Sequence, residues 1–265
     1  MRVVVCIKQV PSSRKVKIDP TTNNLRRESA DGVMNSYDQN AMEAALQLKS
    51  RVGGQVTAIS MGPAQFSLTL REALAMGGDE AILLSSGAFA GADTLATAYV
   101  LAKCVERIGG ADLILLGCRS VDSDTGQVGP IMAELLNLPQ VTLATRLELT
   151  ADGRLEVDRL LEKYEETVSV RLPALVAVTS ALNTPRYPRP VDIMKAARAN
   201  IEVFNETYLE CEGDKIGLAG SRTEVVKLFR PHKPDKTALM IGSPGESSVR
   251  IAAKIAEILT QRNVI

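Results

Sequence analysis

The chain has no tryptophan, one histidine and only 3% aromatic residues among its 265 positions. So few aromatic faces deprive a single-stranded nucleic acid of stacking platforms. The 31 Lys and Arg residues cancel the 31 Asp and Glu residues, so no basic excess points to a polyanionic partner. The four cysteines, Cys6, Cys104, Cys118 and Cys211, lie far apart with no CxxC, which argues against a disulfide framework or a zinc site. Cys6 falls in a strand pattern and Cys104 in a helical one, and both read as small core residues. His232 lies between Pro231 and Lys233 and reads as a solvated loop residue. A lone histidine excludes catalytic triads and histidine-rich metal sites. It also leaves the chain poor in groups that move protons near neutral pH, so redox chemistry here needs a bound cofactor. No apolar run reaches the length of a membrane span. The opening MRVVVCIKQV has a short apolar run broken by Lys8, with no small-residue cleavage site after it. It reads as the first strand of a cytoplasmic protein.

Hydrophobic residues make up 45% of the chain, enough for a large core. The first two-thirds alternate strand and helix patterns. Strands are expected at 2–7, 55–61, 80–84 and 113–116. Helices are expected at 38–51, with Asp38 as N-cap, at 64–76, at 93–108, with Asp93 as N-cap, and at 129–136. Such spacing implies βαβ units and a mostly parallel sheet covered on both faces. The pattern then changes to antiparallel strands at 141–149, 155–161 and 166–171, the first pair joined by a turn at Ala151-Asp152-Gly153. A core strand at 173–178, a proline-rich loop and a helix at 193–199 follow. From about Glu202 polar residues dominate. An amphipathic helix at 247–262 closes the chain, with Val249, Ala252, Ile255, Ile258 and Leu259 on one face. The expected organisation is an α/β domain over 1–201 and a C-terminal arm over 202–265. That arm is expected to wrap a partner, with packing on its own domain as the alternative.

The stretch 112–130, DLILLGCRSVDSDTGQVGP, joins a buried strand to a helix start through a polar, glycine-bearing loop. Free N–H groups and the dipole at a helix start favour an anion. Ser120, Ser123, Thr125 and Gln127 add side-chain donors, and Gly126 and Gly129 allow close backbone approach. Neither GxGxxG nor GxxxxGK[ST] is present, so an ordinary βα loop with a polar tip remains open.

Several segments together resemble the β subunit of the electron-transfer flavoproteins. They are VVVCIKQVP, MNSYDQNAMEAALQLK, ISMGPAQ, REALAMGGDEAILL, LLGCRSVDSDTGQVGP and ALNTPRYPRPVDIMKA, in family order from the first strand to about Ile201. The resemblance implies an α/β domain like that of adenine-nucleotide hydrolases, without hydrolysis, in a heterodimer whose α subunit carries a flavin. It implies nucleotide contacts at Cys6, at Asn35, Ser36, Tyr37 and Asp38, at Met61, and along Asp122, Ser123, Asp124, Thr125, Gly126, Gln127, Val128 and Gly129. Read on their own, Cys6 and Met61 fit a core equally well.

The family holds either a structural AMP or, in its electron-bifurcating branch, a second FAD reduced by NADH. The loop here resembles the D-G-D-T-A-Q-V-G-P of the bifurcating branch, departing at Ser123 and Gly126. It is less like the D-D-x-x-Q-T-G-Q of AMP-holding relatives. FAD is therefore expected, with AMP as the alternative. Partners implied are the α subunit, ferredoxin or flavodoxin, and a flavin-dependent dehydrogenase of acyl-CoA or lactate type. The loop 181–190 resembles the family's recognition loop and puts Leu182 at the docking position. An exposed anchor for the partner dehydrogenase is expected there, with a core residue beneath the loop as the alternative. A nucleotide-binding regulatory module without a redox role is the rival from another class.

Overall fold

The computed structural model describes residues 1–12, 32–226, 240–243 and 245–264. His232 and its flanking prolines lie outside them. The described residues fall into two units, Met1–Val225 and Val226–Ile265.

The first unit is built on a nine-stranded sheet. Its strands β1 (Arg2–Cys6), β4 (Gln55–Met61), β5 (Glu80–Leu84), β6 (Leu113–Gly117) and β10 (Ala174–Val178) are parallel. The short β2 (Gln9–Pro11) and β3 (Gly32–Met34) pair separately as an antiparallel ribbon. Helices α1 (Ser36–Val52), α2 (Ser67–Met76), α3 (Thr94–Arg107) and α4 (Val128–Leu135) connect the parallel strands. Alternate residues of β1 serve opposite faces. Val3 and Val5 pack in one core with Ala41, Met42 and Leu70, while Val4 and Cys6 pack in another with Ala98, Leu101 and Met132. A strand buried on both faces reads as a continuous apolar run, which is why periodicity alone could not orient it. Asp93 caps α3 as expected, accepting from the N–H groups of Leu95 and Ala96. The expected helix at 64–76 divides into a 3₁₀ turn at Ala64–Phe66 and α2.

The strand β7 (Gln140–Leu149) lies parallel to β10 and antiparallel to β8 (Arg154–Leu160), which pairs antiparallel with β9 (Glu165–Arg171). The expected antiparallel extension is therefore present, and β7 is its hinge to the parallel sheet. After β10 come α5 (Pro190–Arg198), β11 (Glu202–Phe204) and the single turn α6 (Gly217–Gly220). Residues 202–225, expected in the arm, belong instead to the first unit. The strand β11 adds to β5, and Phe204 is buried. Only three residues pair, too few to register as a strand pattern in a polar stretch.

The second unit holds α7 (Ser248–Gln261). Ser247 caps it by accepting from Arg250 N–H, and Lys254 pairs with Glu246 at 2.7 Å. None of its residues is buried.

Candidate nucleotide site at the carboxyl ends of the strands

The strand order β11-β5-β4-β1-β6-β10-β7-β8-β9 reverses direction at β1. The chain moves outward from β1 through β4 and β5, then returns to place β6 on the other side. Connections leaving β1 and β6 diverge to opposite faces, which makes this the topological switch point, and the ligand crevice of such sheets lies beyond the carboxyl ends of the strands there. Cys6, Gly117 and, one strand over, Met61 end these strands.

Asp38 closes the gap between the two strand ends. Its carboxylate accepts from Lys8 N–H at 2.8 Å and from Gly117 N–H at 2.8 Å. The expectation that Asp38 caps α1 is corrected: the helix begins at Ser36, and Asp38 is turned inward and 5% exposed. Two strand-end N–H groups that lack ladder partners outcompete the helix start for its oxygens. Gly117 must be glycine, since a Cβ there would lie 2.5 Å from both Asp38 Oδ1 and Tyr37 Cβ. Asn35 does for the next loop what Asp38 does for the strands. Its amide donates to Arg119 C=O at 3.0 Å and accepts from Val121 N–H at 3.1 Å. Asn35 and Asp38 thus spend their side chains on protein backbone.

Beyond them, the loop 118–127 is exposed. It carries two carboxylates where an anion is expected, and each is tied to a cation. Lys8 Nζ reaches Asp122 at 2.7 Å and the hydroxyls of Ser120 and Ser123 at 3.2 Å each. Partial burial pushes the Asp122 carboxyl up, but Lys8 and Ser120 outweigh it and hold it below the usual range. Arg119 pairs with Asp124 at 3.3 Å and lies over the Tyr37 ring. Asp124 and Gly126 have φ of 56° and 64°, left-handed conformations of the kind found where successive backbone N–H groups form an anion-binding concavity. The N–H groups of Thr125, Gly126, Gln127, Val128 and Gly129 have no hydrogen-bond partner among the described residues. Gln127 accepts from Thr94 Oγ1 at 2.9 Å, fastening the loop to the start of α3. Gly129 allows close helix–strand packing, since a Cβ there would meet Leu116 at 3.2 Å.

The structure therefore gathers Asn35, Ser36, Tyr37, Asp38 and residues 122–129 around one crevice. Cys6 and Met61 border it, but their side chains face the core. The Cys6 thiol is buried 3.9 Å from Met132 Sδ, and burial pushes its pKa well up. Sequence reasoning missed Lys8, Arg119 and Thr94. A lysine directly after an apolar strand was the available signal for the first. Among the described residues no cluster suits a metal ion, and no helix is long and apolar enough to cross a membrane.

Leu182 needs correction as an exposed residue. It is half-buried and packs against the α1-side core. The protruding apolar side chain of that loop is Tyr187, 94% exposed. A concavity of about 540 Å³ lies beside it, lined by Met76, Gly77, Arg186, Tyr187 and Lys195, away from the crevice.

This architecture has known counterparts. A family described as "Electron transfer flavoprotein domain" matches residues 22–209. The chain is 41% identical over 266 residues to the electron transfer flavoprotein subunit beta of Thermoanaerobacterium thermosaccharolyticum, covering 100% of both chains. It is 38% identical over 266 residues to the caffeyl-CoA reductase-Etf complex subunit CarD of Acetobacterium woodii, again covering 100% of both. Against Protein FixA of Azorhizobium caulinodans it is 40% identical over 248 residues, 91% of this chain and 88% of that one. With identity sustained from end to end and the crevice in place, the chain belongs to the electron transfer flavoprotein family as a β subunit, one half of a heterodimer.

Proposed function

We propose that this β subunit holds FAD in the β1/β6 crevice and takes electrons from NADH, dividing them between a low-potential carrier and the α-subunit flavin. The supporting observation is the unbroken run of N–H groups from Thr125 to Gly129, beside carboxylates already neutralised by Lys8 and Arg119. Those donors, with the Ser123 and Thr125 hydroxyls, suit a pyrophosphate better than the one phosphate of AMP. Bound there, FAD would supply the redox chemistry, as acceptor of one hydride, two electrons, from NADH and donor of single electrons, one to ferredoxin or flavodoxin and one to the α flavin.

The chain's own residues bind and orient. Asn35 and Asp38 fix the strand ends and the loop, and Thr94 fixes Gln127. The buried Cys6 thiol stays protonated. Electrons leave the α flavin for a dehydrogenase of acyl-CoA or lactate type. One relative's name places it in a caffeyl-CoA reductase–Etf complex, which fits a CoA-ester partner. NADH and ferredoxin are cytoplasmic pools, so the reading puts the heterodimer there.

The test is the nucleotide released on denaturing the purified heterodimer. Two FAD per heterodimer are expected, with both flavins bleached by anaerobic NADH. One FAD plus one AMP would overturn the reading in favour of a non-bifurcating β subunit.

A further inference from the structure

The loop between β10 and α5 is held to α1 at two points, each by residues remote in sequence. Asn40 Nδ2 donates to Asn183 C=O at 2.7 Å and to Asn183 Oδ1 at 3.0 Å, and Asn183 Nδ2 donates back to Asn40 C=O at 3.0 Å. Three residues along the loop, Arg186 forks onto Glu43. Its Nε donates to Oε2 at 2.7 Å, its Nη2 to Oε1 at 3.0 Å, and its backbone N–H to Oε2 at 3.1 Å. Gln47 donates to Glu43 Oε1 at 3.0 Å. Burial pushes the Glu43 carboxyl up, but Arg186 and Gln47 more than offset it and hold it below the usual range.

Asn40 and Glu43 sit one turn apart on one face of α1, among the buried Ala41, Met42, Ala44 and Ala45. The Glu43 side chain is only 6% exposed, whereas that of Arg186 is 44% exposed. A sealed carboxylate adds little to net stability compared with an apolar side chain of its size. What it does add is geometry, because a bidentate pair fixes the direction of the loop backbone. Pro185, Pro188 and Pro190 remove further freedom. Tyr187, immediately after the clamped Arg186, projects almost fully into solvent.

We propose that Asn40 and Glu43 are positioning residues that hold loop 181–190 in a preformed docking shape, with Tyr187 as the side chain it presents. The presentation half rests on reading this loop as the partner-docking element; the clamp itself does not. Pre-ordering removes the entropy cost of shaping the loop at encounter, so the clamp acts on affinity and not on the redox step.

Trypsin reads the clamp directly in the purified heterodimer. Cleavage at Arg186–Tyr187 requires the Arg186 guanidinium to leave Glu43 and enter the protease. Glu43→Gln keeps the shape but removes the charge, and the freed Arg186 can return to water. Cleavage there should accelerate about tenfold or more, with faster hydrogen exchange in 181–189 and unchanged exchange in β6. Asn183→Ala breaks the other hold from the loop side, and should act the same way with the helix intact. An unchanged cleavage rate in both variants, or acceleration matched by equal loss of protection in β6, overturns the clamp. Tyr187→Ala should leave cleavage resistance and exchange as in the wild type while weakening transfer to an acyl-CoA dehydrogenase. Undiminished transfer would overturn the docking half and leave the clamp standing.

Discussion

At Asp38, burial and hydrogen bonding pull in opposite directions. Desolvation pushes its carboxyl from an ordinary value of 3.8 up to about 7, even though Lys8 N–H and Gly117 N–H favour the ionised form. The folded protein therefore binds this proton more tightly than the unfolded chain does. Asp38's contribution to stability is fully present below about pH 4 and is lost as the pH rises through about 7. Asp38→Asn should remove that slope, measured as the difference in urea midpoint between pH 5 and pH 8. It should also lower stability by about 1–3 kcal/mol at pH 5, because its amide turns a donor toward one of the two N–H groups. Gly126 is the second residue with a sharp requirement. At φ of 64°, with Cys118 C=O 3.1 Å from a built Cβ, Gly126→Val should distort the loop and reduce the nucleotide retained by the heterodimer. The strain of a side chain in that conformation is about 1–2 kcal/mol. Normal nucleotide content in this variant would remove the phosphates from 123–129. At Leu182 the half-buried position predicts a stability effect. Leu182→Ala should cost about 1–3 kcal/mol in denaturant unfolding, toward the lower end for core leucines. Tyr187→Ala should leave the melting temperature unchanged.

Among the elements, legibility followed the range of the forces involved. The strands β4 and β5 and the cap on α3 were readable to the residue, because apolar runs, flanking glycines and an aspartate two residues before the N–H that donates to it are local signals. The helix start at Ser36 was not, because Asp38's partners come from β1 and β6. The clamp on loop 181–190 links Glu43 to Arg186, and no local pattern marks a glutamate as paired rather than solvated. The loop 118–127 was legible as strand, glycine-bearing turn and helix start, yet the cations that neutralise its aspartates were not. Lys8 sits over a hundred positions from Asp122. The terminal helix α7 matches its expected span closely, with Ile255 and Val249 exposed. An amphipathic helix that lays its apolar face into a partner's groove carries apolar side chains at helical spacing. We expect residues 240–265 to be required for joining the α subunit. Their deletion should abolish heterodimer formation in size-exclusion chromatography, while circular dichroism reports an intact α/β unit. A stable heterodimer from the truncated chain would refute this.

Over the first unit as a whole, the parallel sheet sorts function by rim. The crevice, the loop 118–127 and the clamped loop 181–190 all leave the carboxyl ends of strands. The helix α1 joins them, its first turn bracing the crevice through Asn35 and Asp38 and its second holding the loop through Asn40 and Glu43. The opposite rim is made of turns at Gly53-Gly54 and Gly109-Gly110, and Met1 C=O is joined there to Gln55 N–H at 2.9 Å. Nothing on that rim takes part in the proposed chemistry. It is therefore the side by which the molecule can be handled. A purification tag, a fluorophore or an electrode linker joined ahead of Met1 would start from the rim opposite both the proposed cofactor site and loop 181–190. The tethered heterodimer should turn over at the rate of the free one.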